Sequence, residues 1–598
     1  MRFKAALAGL ACAVSALGVA ACSSSGTTAS SGSTSSSGGS SSSAAPCATP
    51  STTSSSSGSS SGGSSTTLTM EQSPAASVPD IFNPFNPSAA DSTLGFVDMM
   101  YEPLLQFDDL KPGTFYYSWL AKSYAWSNSG RTITFTLRSG VKFTDGEAFN
   151  ASMAAWEFNW LKANPSVNTN GLPITSASAP NATTLVINFS SAQYTNLYNI
   201  ANTVMVPKNV WSAVKGDPSK FTDTDPIGTG PYTLKNFSAQ GVTLTANPSY
   251  WGGKSHVPTL DFPTYTSNTS ANQALEDGQL QWAGNFVQNI QTEFLNKSPN
   301  NHCWDYGLQT ETLLPNLTQF PFSGSGGMAV REAISYGVNR QQISAVGEDG
   351  QQPPVQGPGS LTGLTLPLDK QYVTSSISGD VATQDTAKAK SILKSAGWTM
   401  GSDGYFQKNG QTLAFTVEDP AEYTDFITDD GIMQQQLKAV GIKVTIKADT
   451  VDSWNADLAD GDFNSMMHWG NGGISPYNMY DNWLDTTLDT GANAKNHTGD
   501  YEQFSGADAN QAESDLKAYA ATPTSDTADQ TKYVDDLGSI IAKDLPVIPL
   551  FYGVAWGDYN SSNWTGWPSP SNPYEPIQPN GPMNEVIVLH LRPASSSS

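Results

Sequence analysis

The chain has little cysteine and little charge, and it lacks the sequence motifs that would support an enzyme. Four cysteines occur in 598 residues, and 14% of the residues are charged. No Cys-x-x-Cys pair is present, and a complete dinucleotide-binding glycine pattern is missing. No two of the five histidines have the spacing of zinc ligands; they are His256, His302, His468, His497 and His590. We therefore predict no metal site, no cofactor and no catalytic residue. A secreted hydrolase remains the enzymatic alternative.

Positive charge is scarcer than negative charge. The chain has 29 Lys and Arg against 53 Asp and Glu, which gives a net charge of −24. A balance this acidic repels nucleic acid, so we expect no nucleic-acid partner. After the N-terminus, no apolar run reaches the roughly 18 residues that a membrane helix needs.

The N-terminus has the pattern of a secretory signal. Arg2 and Lys4 precede the apolar residues 5–18, and Val19-Ala20-Ala21-Cys22 follows. The end of this segment resembles a bacterial lipobox, which implies that residues 1–21 are a signal peptide and that Cys22 is lipid-modified. An ordinary signal peptide with an incidental cysteine is the alternative. The lipid would hold the protein at the outer face of the cytoplasmic membrane.

The segment after Cys22 is dominated by serine. Residues 23–66 contain 23 serines among 44 positions and no charged side chain. Such a composition cannot bury enough apolar surface to order the chain, so residues 22–66 are predicted to be a disordered, lipid-anchored tether. As a coil it would span about 35–40 Å. Pairing of Cys47 with Cys303 stays open, because a disordered partner provides no preset geometry.

The rest of the chain alternates strand and helix patterns. Ile133, Phe135 and Leu137 alternate with polar residues, as in a half-buried strand. Residues 387–398 have apolar positions at helical spacing, with Gly397 where a C-cap glycine belongs. Residues 442–446 then alternate as a strand. Helix followed by strand predicts an α/β lobe, and about 530 residues are enough for two or more lobes.

Several short segments, read in order, resemble the large extracellular solute-binding proteins of ATP-binding-cassette importers. This group contains the dipeptide- and oligopeptide-binding proteins and some oligosaccharide-binding members. The resemblance covers roughly residues 68–590, and the segments that carry it are Tyr101-Glu-Pro-Leu-Leu105, residues 135–147, Pro226-Ile-Gly-Thr-Gly-Pro-Tyr232, Asn247-Pro-Ser-Tyr-Trp-Gly-Gly253, residues 330–340, residues 387–398 and Gly441-Ile-Lys-Val444.

The resemblance implies an α/β, periplasmic-binding-protein-like fold with two lobes, a hinge between them and an additional subdomain on the first lobe. By this resemblance the first lobe combines residues 67–95, 225–312 and 545–598. The subdomain is 96–224, and the second lobe is 313–544. We expect a monomer that closes around a small-molecule ligand and delivers it to the permease subunits of an importer. A sensory receptor that passes the closed shape to a signalling partner is a further alternative.

The segment expected to line the cleft departs from the peptide-binding pattern. Peptide-binding relatives carry an aromatic residue and then an aspartate that pairs with the α-ammonium group of the ligand. Here Trp469 supplies the aromatic residue, but Gly473-Ile474-Ser475 stands where the aspartate is expected. Burying an ammonium group without a carboxylate is costly. The departure therefore favours a neutral ligand, with an oligosaccharide preferred over a peptide.

Sugars stack their C–H faces on aromatic rings and need amide partners for their hydroxyl groups. The candidate stacking residues are Trp469, Trp282, Trp483 and Trp567, and the candidate hydroxyl partners are Asn83, Asn86, Asn285 and Gln319. For each tryptophan, packing in the core is the alternative role.

Overall fold

The computed structural model describes residue 47 and residues 66–111, 115–365, 369–470, 474–488 and 497–594. Cys22, the expected signal peptide and most of the serine-rich tether lie outside the described residues, as does Gly473. None of the helices in the described ranges is both long enough and apolar enough to cross a membrane.

The strands are, in chain order, β1 (Thr67–Glu71), β2 (Leu105–Phe107), β3 (Tyr116–Ser118), β4 (Ala121–Ser127), β5 (Thr132–Leu137), β6 (Ile174–Asn181), β7 (Thr184–Phe189), β8 (Tyr232–Ser238), β9 (Gly241–Ala246), β10 (Thr259–Pro263), β11 (Trp282–Ala283), β12 (Asn301–Cys303), β13 (Tyr306–Pro315), β14 (Thr399–Met400), β15 (Phe406–Lys408), β16 (Gln411–Thr412), β17 (Ala414–Pro420), β18 (Lys443–Asp449), β19 (Ser465–Trp469), β20 (Ile548–Ala555), β21 (Asp558–Asn560), β22 (Trp564–Thr565) and β23 (Arg592–Pro593).

The helices are α1 (Ala90–Thr93), α2 (Val97–Met100), α3 (Ala151–Ala163), α4 (Leu197–Ala201), α5 (Lys208–Trp211), α6 (Asn268–Glu276), α7 (Ile290–Glu293), α8 (Gly324–Gly337), α9 (Arg340–Val346), α10 (Thr386–Ser395), α11 (Thr424–Val440), α12 (Val451–Asp460), α13 (Pro476–Leu484), α14 (Ala507–Ala520), α15 (Thr527–Asp544) and α16 (Gly581–His590).

The local patterns predicted from the sequence are confirmed. In β5 the residues Ile133, Phe135 and Leu137 are buried, and their neighbours are more exposed. Helix α10 ends just before Gly397, whose φ of 87° is a left-handed conformation that favours glycine. Strand β18 follows α11, as the alternation after Gly441 predicts.

Three sheets form the framework of the molecule. The first-lobe sheet has seven strands in the order β12-β21-β11-β1-β10-β9-β8. The second-lobe sheet has five strands in the order β18-β17-β19-β13-β20, and β17 pairs in parallel with β18. A four-stranded antiparallel sheet, β4-β5-β7-β6, lies within the range expected for the subdomain. The two-lobe α/β fold predicted from the resemblance is therefore confirmed.

Two antiparallel strands carry the chain between the lobes. Strand β13 enters the second-lobe sheet and β20 leaves it, and the two pair from Tyr306 with Ala555 to Leu313 with Ile548. Because β13 also pairs with β19, the end of β19 lies beside the crossing strands. Residues at the ends of these strands are therefore placed at the junction of the lobes.

A disulfide bond joins Cys47 to Cys303, which settles the pairing that the sequence left open. Cys47 is buried in an apolar cluster with Leu275, Ile290 and Phe294. Its carbonyl oxygen accepts a hydrogen bond from the N–H of Asp305 at 3.3 Å. The serine-rich segment was predicted to have no fixed structure, and at Cys47 that prediction is wrong, because a covalent bond and apolar packing fasten this residue to the first lobe.

Candidate ligand-binding cleft

A cavity of about 410 Å³, here called the cleft cavity, lies where the two lobes meet the crossing strands. Gln72 and Ser73 follow β1 and line it from the first lobe, whereas Tyr423 and Trp469 line it from the second lobe. Glu311, on crossing strand β13, is also part of its wall. A ligand in this cavity would contact both lobes and the segments that connect them.

Trp469 is the last residue of β19 and lies half-buried at the cavity. Its ring stacks on His468 with ring centroids 4.9 Å apart and planes 13° apart. Trp454, on α12, lies behind it with centroids 5.7 Å apart. Burial lowers the pKa of His468 to about 4, so this imidazole is neutral near pH 7. The Trp469 ring is therefore held on one side by uncharged aromatic groups.

The first-lobe wall begins just after β11. Asn285 is buried there, and its Nδ2 donates to Oδ1 of Asn272, while its own Oδ1 has no hydrogen-bond partner within the part of the chain that the structure describes. Phe286 contacts Trp556 in an edge-on arrangement with ring centroids 5.8 Å apart. Trp556 directly follows β20 and is half-buried. This wall thus offers a second aromatic surface and an unused acceptor.

The cavity contains carboxyl groups whose pKa values are raised by burial. Burial raises the pKa of Glu311 to about 8, although a hydrogen bond from Gln352 opposes the shift. Burial also raises the pKa of Asp425 to about 6 and that of Asp109 to about 7. Near pH 7 the site therefore has less negative charge than its three acidic side chains suggest.

The remaining lining is aromatic and amide-rich. No Lys, Arg or His belongs to the described lining of the cleft cavity. Seven amide side chains belong to it, namely Gln72, Asn268, Asn285, Gln309, Asn455, Gln578 and Asn580. Seven aromatic side chains also belong to it, namely Tyr198, Phe286, Tyr423, Phe426, Trp454, Trp469 and Trp556. This combination suits an uncharged ligand with both hydroxyl groups and apolar faces.

Polar contacts cross the cleft beside the cavity. The backbone N–H of Asn268, at the start of α6, donates to the carbonyl oxygen of Glu422 at 3.1 Å. Its side chain donates to Oδ1 of Asp425 at 3.2 Å. Farther along, the hydroxyl of Thr195 donates to the carbonyl oxygens of Tyr519 and Thr522. Residues from both sides of the cleft are therefore in direct contact in this structure.

Of the predicted site residues, the structure brings Trp469 and Asn285 together at the cleft cavity. Trp282 is fully buried instead, and its Nε1 donates to the carbonyl oxygen of Ile577 at 2.7 Å. Trp567 packs edge-on against it with centroids 5.3 Å apart and donates to the carbonyl oxygen of Trp564. Both rings lie in the first-lobe core. In this structure they therefore have the packing role that was the alternative to ligand binding.

The other predicted residues also lie outside the lining of the cleft cavity. Trp483 is buried in the second lobe. Asn83 is buried, and its Nδ2 donates to three carbonyl oxygens of residues 218–221. Asn86 accepts a hydrogen bond from the N–H of Ser88 within a turn, and Gln319 is exposed after β13. Asn83 is therefore a structural cap for a distant turn, because its donors are already used.

Several residues of the cavity were not predicted from the sequence, among them Trp556, Phe286 and Tyr423. The only available signal concerned Trp556, which belongs to the range 545–598 that the resemblance assigns to the first lobe. Phe286 and Tyr423 had no distinguishing local pattern. Their positions depend on which strand ends meet at the junction.

Two lobes joined by two crossing strands, with a cavity between them, define a hinged binding protein. The family model of bacterial extracellular solute-binding proteins, family 5, matches residues 116–491. The chain therefore belongs to this family, the solute-binding proteins of ATP-binding-cassette importers.

Individual relatives differ in the ligands that they are named for. The chain is similar to the nickel-binding periplasmic protein of Escherichia coli, with 28% identity over 432 residues, covering 66% of this chain and 74% of the relative. Its fold is similar to the mannohexaose-bound periplasmic oligopeptide-binding protein of Thermotoga maritima, with a TM-score of 0.79, 22% identity, and coverage of 88% and 98%. The fold is also similar to that of the nonapeptide-bound oligopeptide-binding protein AppA of Bacillus subtilis, with a TM-score of 0.72, 19% identity, and coverage of 88% and 99%.

Proposed function

We propose that this solute-binding protein takes a neutral oligosaccharide in the cleft cavity. The observation that carries the proposal is the lining, which combines aromatic rings and amide groups without a described basic side chain. Trp469 from the second lobe and Trp556 from the first lobe provide stacking surfaces on both sides of the cleft. Asn285 provides a buried acceptor for a hydroxyl group.

An oligopeptide is the second candidate, and the acidic residues favour it. Glu311 and Asp425 both line the cleft cavity, and a bound ammonium group would stabilise their ionised forms. However, deprotonating Glu311 near pH 7 costs free energy because its pKa is raised to about 8. A neutral ligand does not require this step, which is why we place the oligosaccharide first.

Calorimetry with defined ligands tests the proposal. We expect manno- or cello-oligosaccharides to bind, and Trp469→Ala to weaken that binding by about 1–3 kcal/mol because a large ring is lost. Affinity should change little with salt, since no ion pair holds the ligand. The matched control is Trp156→Ala. Trp156 is a half-buried tryptophan on α3, within the range expected for the subdomain. If a free dipeptide or tripeptide binds tightly and no saccharide binds, the ligand is a peptide and the oligosaccharide proposal is wrong.

The proposal includes delivery of the ligand by a lipid-anchored, hinged protein. Val19-Ala20-Ala21-Cys22 supports lipid attachment at Cys22. The two crossing strands support closure by hinge motion, with the lobes divided as the resemblance implies. Cys22→Ser should release the protein from the membrane fraction without changing its melting temperature. A variant that stays in that fraction would contradict the anchor but leave the ligand proposal untouched.

A further inference from the structure

A second cavity of about 330 Å³ adjoins the cleft cavity. Tyr198 lines both of them and is thus their common wall. Asparagine is the commonest residue in the lining of the second cavity: Asn170 precedes β6, Asn199 and Asn202 come from the α4 region, and Asn478 and Asn482 come from α13. We call it the asparagine cavity.

Helix α13 places an unusual polar face in this cavity. Asn478, Asp481 and Asn482 have the spacing of three and four residues that puts side chains on one face of a helix. All three are at least nine-tenths buried. Tyr480 and Trp483 point into the second-lobe core instead. A buried face made of amides and a carboxyl group is costly unless its polar groups find partners.

The structure does not supply all of those partners. The Oδ1 atoms of Asn478 and Asn482 are buried and have no hydrogen-bond partner among the described residues. The Nδ2 of Asn478 donates to Oδ1 of Asn199 at 3.4 Å, and that of Asn482 donates to the carbonyl oxygen of Thr498 at 3.5 Å. Both bonds are near the limit of hydrogen-bonding distance, so these amides have most of their capacity unused.

We propose that the asparagine cavity is a second saccharide subsite, which holds the sugar units beyond those that stack at Trp469. This inference rests on the proposed function and extends it to a ligand longer than a disaccharide. The bound ligand would extend past Tyr198 and occupy both cavities. Hydroxyl groups of the far units would donate to Asn478 and Asn482, and Asp481 would accept from a further hydroxyl. Because Asn199 and Asn478 lie on opposite sides of the cleft, these units would also hold the two sides together.

The test is calorimetry with cello- and manno-oligosaccharides from the disaccharide to the hexasaccharide. For the unmodified protein we expect affinity to rise at least tenfold from disaccharide to tetrasaccharide. Asn482→Ala and Asn478→Ala should each weaken hexasaccharide binding about fivefold to tenfold, as expected for a lost hydrogen bond, and leave disaccharide binding unchanged. Melting temperatures show whether the variants remain folded.

Two controls separate the possible outcomes. Asn455→Ala, at the cleft cavity, should weaken binding of every length, whereas Asn510→Ala, exposed on α14, should change none. If the hexasaccharide binds no more tightly than the disaccharide, or if Asn482→Ala affects both equally, the second subsite is overturned while the proposed ligand class stands. If no saccharide of any length binds, the ligand class itself fails and the subsite fails with it.

Discussion

At the scale of single residues, the charged side chain of Arg340 donates hydrogen bonds that hold neighbouring elements together. It is buried at the start of α9, and its Nε donates to the carbonyl oxygen of Pro549 at 2.7 Å. Its two terminal nitrogens donate to the carbonyl oxygen and the hydroxyl of Ser335. Arg340 therefore connects α8, α9 and crossing strand β20.

We predict that Arg340→Lys lowers the free energy of unfolding by about 2 kcal/mol. A lysine cannot reproduce the planar fork, so buried acceptors lose their donors. Urea denaturation measures the change. The exposed Arg131→Lys is the control and should stay within about 0.5 kcal/mol of the unmodified protein. Equal stability of the two variants would show that the Arg340 contacts are energetically neutral.

At the scale of an element, α11 carries carboxyl groups on its buried side. Asp425, Asp429 and Asp430 are all buried there. Burial, and then the nearby carboxyl group of Glu348, raises the pKa of Asp429 well above its usual range. Burial raises the pKa of Asp430, which is paired with Asp419, to about 7. The helix is therefore packed with pairs of neighbouring carboxyl groups that hold their protons more strongly than usual.

Acid pairs of this kind make stability depend on pH in a definite direction. A raised pKa in the folded state means that the folded protein binds the proton more tightly than the unfolded chain does. The stabilisation that comes from the raised pKa values is complete below about pH 4, the pKa that these carboxyl groups have in the unfolded chain. It is lost as pH rises through the folded values of about 7 for Asp430 and about 8 for Glu311. The free energy of unfolding should therefore fall between about pH 5 and 8.

We predict that Glu348→Gln reduces this fall. The amide keeps the shape, still accepts from Gln352, and donates to Asp429 without titrating. At pH 8 the variant should be more stable than the unmodified protein, and at pH 5 the two should differ by less than about 1 kcal/mol. Urea denaturation at a series of pH values is the measurement. The exposed Glu293→Gln should leave the profile unchanged, and a Glu348→Gln profile parallel to the original would contradict the acid-pair account.

At the scale of the whole molecule, polar contacts such as the one from Asn268 to Glu422 cross the cleft, and the crossing strands connect the lobes. A ligand that contacts both lobes favours the closed arrangement, because those contacts exist only there. Moving a population from mostly open to mostly closed requires about 5 kcal/mol of differential affinity.

We predict that a saturating oligosaccharide decreases the radius of gyration measured by small-angle scattering. Trp469→Ala at the same ligand concentration should show a smaller decrease, because fewer molecules are occupied. An unchanged radius for a ligand that calorimetry shows to be bound would contradict closure as the response to binding.

The disulfide bond also acts at this scale, since it joins residues 256 positions apart. Cross-linking restricts the unfolded chain, so we predict that Cys303→Ser lowers the free energy of unfolding by about 2–5 kcal/mol. Cys47→Ser should have a similar effect, and the double variant should be no less stable than either single variant. An additive loss in the double variant would show that the two side chains stabilise the protein separately, through packing.

The sequence by itself determined the family, the two-lobe fold and many of the elements. Strand β5 and helix α10 were predicted because the alternation or helical spacing of apolar residues is a local property. The ordered motifs could be read without any contact information. Even Trp469 was found at the cavity, because its segment could be compared with the family pattern.

Only the tertiary structure decided which polar and aromatic residues reach the cleft. Trp282 and Trp469 look alike in the sequence, yet one donates its N–H inside the core and the other faces the cavity. The Cys47–Cys303 bond and the contact of Asn478 with Asn199 likewise join segments hundreds of residues apart. Burial and hydrogen bonding are set by the neighbours that folding brings together, and no local pattern contains that information.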